Sequence, residues 1–171
     1  HSGGVEEQIM SLFENQEYRW RDTYFVLFHV KDRPSAGAML QALETLGPRF
    51  QVQETRCDEA GRFESMTLMS PDDFSAMDIS FIAGDEVEEQ VQTLLKGEKA
   101  SQMTKEEQDK WKLLKGCDAR FDIYHFERIV LSEEDDEDEG FLDPGGLLIV
   151  LECLSQLCHG VSIDPQAGTV L

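Results

Sequence analysis

The apolar positions change period along the chain, and each period predicts an element. Val5, Ile9, Leu12 and Phe13 recur at helical spacing, so residues 5–16 predict an amphipathic helix. Residues 23–30, TYFVLFHV, are β-rich and apolar on both faces, which predicts a strand inside a sheet. Pro34-Ser35 opens a helix over 35–46 with the stripe Met39, Leu40, Leu43 and Leu46, and Gly47-Pro48 stops it. Residues 50–57 and 62–69 flank the turn Asp58-Glu59-Ala60-Gly61 and predict a hairpin. In 75–83, Met77, Ile79 and Phe81 alternate with Asp78 and Ser80, the period-two pattern of a strand with one dry face.

Asp85 with Glu88 is a capping pattern, and Val87, Val91, Leu94 and Leu95 stripe a helix over 85–96 ended by Gly97. Thr104 with Glu107 makes a capping box for a short polar helix carrying Trp111 and Leu114. Residues 119–130 predict a further strand. Asp143-Pro144 is an N-cap and N1 pair for a helix over 145–158, striped by Leu147, Leu148, Leu151, Leu154 and Leu157 and closed by Gly160. A short strand, 161–163, and the turn DPQAG, 164–168, follow.

This order predicts the α+β class, in a ferredoxin-like (split βαβ) arrangement. The expected sheet is antiparallel or mixed, with helices on one face, an N-terminal helix and a C-terminal β-α-β extension. Residues 5–171 read as one domain, and 1–4 as disordered or vector-derived. Phe25/His29 within 23–57 and Phe121/His125 within 119–164 share a strand-helix-strand plan. That plan fits a degenerate duplication, and equally the common grammar of βαβ units.

Charge changes the functional picture. There are 35 acidic against 15 basic residues, a net −20. Seven acids stand in one run, Glu133, Glu134, Asp135, Asp136, Glu137, Asp138 and Glu139; taking these from −20 leaves −13, so the whole surface is acidic. Such a field repels phosphate backbones and anionic lipid and attracts basic proteins or cations. Neither nucleic acid nor membrane is therefore expected as a partner, and a basic protein is. Monomer and homodimer are both compatible with the pattern. Cys57, Cys117, Cys153 and Cys158 form no CxxC pair, which predicts reduced, mostly buried thiols in a cytoplasmic protein. The acidic, polar first turn predicts no secretory signal, and no apolar run approaches a membrane span.

Catalytic and metal chemistry finds little footing. An EF-hand needs a bidentate Glu at position 12; placing Gly140 at position 6 puts Gly146 there, so the run is expected to be a mobile, solvated loop over 132–142. Cys153 and Cys158 lie five residues apart on a helix, about 140° around it, so they do not form half of a zinc site. No nucleophile elbow, phosphate-cradling glycine loop or His-Glu-x-x-His is present. No cofactor or metal is expected, and no catalytic residue is assigned. The leading expectation is a non-enzymatic binding or regulatory module whose acidic run, Glu133 to Glu139, meets a basic or cationic partner. The alternative is a small-ligand sensor or enzyme with a pocket gathering His29, His125, Asp164 and Gln166.

Overall fold

The computed structural model describes residues 12–97, 103–129 and 144–171. Seven strands form one open sheet: β1 (Tyr18–Phe28), β2 (Gln51–Cys57), β3 (Phe63–Ser70), β4 (Ser75–Ala83), β5 (Ala119–Arg128), β6 (Val161–Asp164) and β7 (Thr169–Val170). Their order is β2-β3-β4-β5-β1-β6-β7, and every neighbouring pair is antiparallel. Four helices accompany them among the described residues: α1 (Ala36–Glu44), α2 (Asp85–Lys96), α3 (Lys105–Lys112) and α4 (Pro144–Cys158). The α+β class stands. The strand order, however, is not that of a simple split βαβ unit.

The expectation of helices on one face is overturned, and β1 supplies the reason. Its side chains alternate between faces, and it is apolar on both. Val26 and Phe28 join the larger core, under Met39 and Leu43 of α1 and Leu147, Val150, Leu151 and Leu154 of α4. Leu27, with Phe25 packed beside it, joins a second core under Val87 and Val91 of α2 and Trp111 of α3. A strand with two dry faces needs cover on both.

Two caps form, and the expected Asp85–Glu88 cap does not: the N-cap of α2 is Gly84, which has no side chain to offer, and Asp85 is already the first helical residue. Ser35 Oγ accepts from the Ala38 amide, and the Thr104–Glu107 box forms in both directions. The end of α4 differs in cause. The left-handed residue there is His159, with φ 55°, and not Gly160. Gly160 is required by packing, because a Cβ at that position would stand 2.5 Å from the Leu27 carbonyl oxygen on β1.

Two further corrections arise. Residues 12–14 form a 3-10 turn, Leu12–Glu14, where the amphipathic helix over 5–16 was expected to continue; residues 5–11 of that expected helix lie outside the described residues. Leu12 is nevertheless buried, against Met69, Ala76 and Phe126. The DPQAG turn does not end the fold, because Thr169–Val170 returns as β7 against β6. Asp164 shapes that turn by accepting from the Gln166 amide at 3.0 Å, and Gly168 takes φ 67°, a conformation that glycine adopts without steric penalty. No helix among the described residues is long and apolar enough to cross a membrane.

Candidate ligand groove on the second face of the sheet

Residues directly opposite one another on neighbouring strands share a face, so the register assembles the site. On the α2/α3 face one cross-strand row runs Arg56, Ser65, Ser80, Asp122, from β2 to β5. The next row, one strand repeat away, runs Glu54, Thr67, Asp78, Tyr124. At one end α2 and α3 cover this face, and at the other the turn at Leu12–Glu14 covers it. Between them, among the described residues, lies an open groove of about 520 Å³, floored by these rows and walled by Phe13 and Glu14. Its size falls in the range of small-ligand sites, roughly 300–1,000 Å³.

The aromatic part of the rim is packed ring on ring. Phe13 packs edge-on against Tyr124 and Phe126, with centroids 5.4 and 4.7 Å apart. Asp78 is oriented by the Thr67 hydroxyl at 2.8 Å and by the Leu12 amide at 3.2 Å. These bonds also tie the Leu12–Glu14 turn to the sheet.

Asp122 continues the first row but is closed off from solvent, at 2% exposure. Burial pushes its carboxyl above the ordinary carboxylate range, against the pull of Arg120. Arg120 Nε donates to it at 2.5 Å, and the Tyr124 hydroxyl donates at 3.4 Å. The same guanidinium reaches Gln90 and Glu86 of α2 and lies 4.5 Å from the Phe25 ring. A buried ionic knot thus separates the apolar half of this face from the open half.

Arg56 stands apart. Arg19, Arg21, Arg33, Arg49, Arg62, Arg120 and Arg128 each make an ion pair, whereas Arg56, among the described residues, makes none. It does not close onto Glu54, its same-face neighbour on β2.

The histidines and the turn go elsewhere. His125 is buried on the opposite face, at 2% exposure. Its Nδ1 lies 3.0 Å from Asp22 Oδ1, and the Tyr24 hydroxyl donates to the other oxygen of Asp22 at 3.1 Å. Burial lowers the imidazole pKa despite Asp22, so the neutral ring carries its proton on the Nδ1 that faces the carboxylate. His125 Nε2 and the neighbouring Ser75 Oγ have no hydrogen-bond partner. His29 follows β1 at the far end of the sheet, where Phe28 pairs with Ala119. The two histidines are therefore about 20 Å apart along β5, and no common pocket gathers them. Asp164 lies on the His125 side, within electrostatic reach of Tyr24, whose pKa burial and Asp22 push up to about 12. Gln166 is exposed in its turn. The run from Glu133 to Glu139 lies outside the described residues.

The described cysteines are free thiols. Burial pushes Cys117 up to about 11 and Cys158 up to about 12, which keeps both as inert thiols at neutral pH. Cys117 belongs to the second core and donates to the Leu113 carbonyl, far from His125. Among the described residues no group of three or more His, Cys, Asp or Glu side chains is placed to hold a metal ion.

Sequence reasoning took Asp78 and Ser80 as outward residues and missed the groove. The signal was the polar alternation of 75–83, but only the pairing order shows that three neighbouring strands carry polar residues in register with it.

The fold and groove together define an α+β protein with an open antiparallel sheet and, among the described residues, a ligand-sized recess on the face of α2 and α3. Compared with known families, curated proteins and solved structures, the chain finds no match.

Proposed function

We propose that the protein is a binding module that takes a cationic group of its partner into the groove on the second face of the sheet. The observation that carries this reading is the convergence of Glu14, Glu54 and Asp78 with the Phe13 and Tyr124 rings around one open recess. Carboxylates supply the attraction, and aromatic rings add cation–π contact without a further charge. The net −20 of the chain adds a long-range field that draws a basic partner in. The acidic run would strengthen that field; the groove is where the partner is held.

A lysine-rich peptide tests the reading by stopped-flow association at several salt concentrations. The association rate should fall steeply with salt, because exposed charges are screened over about 10 Å at 0.1 M, while the dissociation rate changes less. Glu14→Gln with Glu54→Gln should speed dissociation, and His125→Gln should leave binding intact. Binding unaffected by the double groove substitution would remove the groove from the account.

A further inference from the structure

We propose that the occupant of the groove carries a carboxylate as well as a cation, and that it is a basic amino acid, either free or as the last residue of a chain. This rests on the groove reading above and narrows it. The floor is divided by charge. Glu54 and Asp78 lie in one cross-strand row with Tyr124, whereas Arg56, Ser65 and Ser80 share the next. All of them line the same recess. Same-face neighbours along a strand stand about 7 Å apart. An extended lysine or arginine spans a similar distance from its side-chain cation to its α-carboxylate.

The second row is built to accept an anion. The guanidinium of Arg56 is the one unpaired arginine fork among the described residues, and that planar fork matches a carboxylate. The Ser65 and Ser80 hydroxyls stand beside it in the same row. One arginine in a chain of net −20 suits a single carboxylate and not a multiply charged phosphate. Neutralised by the occupant's own cation next door, that carboxylate meets little of the chain's repulsion.

Calorimetry with lysine and with cadaverine, which is lysine without its carboxylate, separates this proposal from plain cation binding. Coulomb attraction alone favours cadaverine, the more positive of the two. The native chain should hold lysine about tenfold tighter, the worth of a charge-assisted hydrogen bond. Arg56→Gln should abolish that preference while leaving cadaverine as tightly bound or tighter. Arg56 is exposed on an edge strand, and a thermal melt of the variant checks that the fold persists. Nα-acetyl-lysine and its amide distinguish the sources. If the acid is held like lysine and the amide is not, a chain end is accommodated; if neither acetylated form binds, the free amino acid is the ligand. Cadaverine held as tightly as lysine by the native chain overturns the proposal and leaves the cationic reading standing. If neither compound binds and the lysine-rich peptide does not bind either, both readings fall.

Discussion

The two faces of this sheet are built from the same strands and are covered differently. On the α1/α4 face Val26, Phe28, Phe121, Ile123, Met77 and Ile79 close into a dry core. Its polar groups, such as Asp22 and His125, lie toward one end, where His125 Nδ1 meets Asp22 while His125 Nε2 and Ser75 Oγ have no partner. On the opposite face the apolar cover is split into two patches, under α2/α3 and under Leu12, with polar rows between. On the first face the central side chains are fully buried between the sheet and the helices α1 and α4. On the second face Arg56 makes no ion pair among the described residues, and the polar rows beside it are the surface that the proposed function uses. Under the proposed function, strand alternation separates stability from recognition.

The largest effect is expected where mass is removed from the closed face. Phe121 is fully buried and stacks near Phe28 and Phe63, with centroids 4.7 and 5.6 Å away. Phe121→Ala should destabilise the fold by about 3–5 kcal/mol in urea denaturation. A loss under about 1 kcal/mol would mean that this core is not packed as described.

The ionic knot on the second face should respond next. Arg120→Met leaves the buried Asp122 carboxylate without its main partner and should cost roughly 3 kcal/mol. The double variant Arg120→Met/Asp122→Leu should recover most of that loss, since a buried pair exchanged for apolar groups is often nearly neutral. Double-variant stability no better than the single would show that the knot stabilises the sheet beyond mutual neutralisation.

A smaller effect is expected from pH. His125 titrates lower in the fold than in the unfolded chain, so the unfolded chain takes up its proton first as pH falls. The stability contributed by the neutral ring is complete above about pH 6.5 and is lost as pH drops below that value toward the folded pKa. Denaturation near pH 7.5 and near pH 5.5 should differ less in His125→Gln than in the native chain. Asp22, Glu127 and Arg21 act on the same ring and are common to both proteins.

The smallest effect should come from the groove floor. Ser65→Ala should change stability by no more than about 0.5 kcal/mol, while weakening ligand retention as measured by calorimetry. A large stability loss there would assign the row to structure and not to recognition.

Periodicity and caps located nearly all of these elements. β4 and α2 match the boundaries read from alternation and from the Val87, Val91, Leu94 and Leu95 stripe, because those signals depend on neighbours a few residues away, although Asp85 does not cap α2. The two-sided apolarity of 23–30 also predicted an internal strand, and β1 lies between β5 and β6. The chain's own pattern even held the evidence for two covered faces, since an apolar Phe25 and Leu27 cannot face water beside an apolar Val26 and Phe28. The expectation of one helical face failed by not carrying that alternation through. β7 was missed because two residues carry no periodicity.

The site was not legible in this way. His29 and His125 occupy matching places in two similar stretches and are the centre of the expected alternative pocket; antiparallel pairing of β1 with β5 instead sends them to opposite ends of the sheet. Arg56, Ser65 and Ser80 look unrelated along the chain and become one row only through the β2-β3-β4 register. Local propensity, capping and side-chain alternation act over a few residues, so the sequence by itself determined the elements and the class. Which strands pair, in which register and with which helix on which face is decided by burying all the apolar stripes at once. That is a property of the whole chain, and it placed the groove.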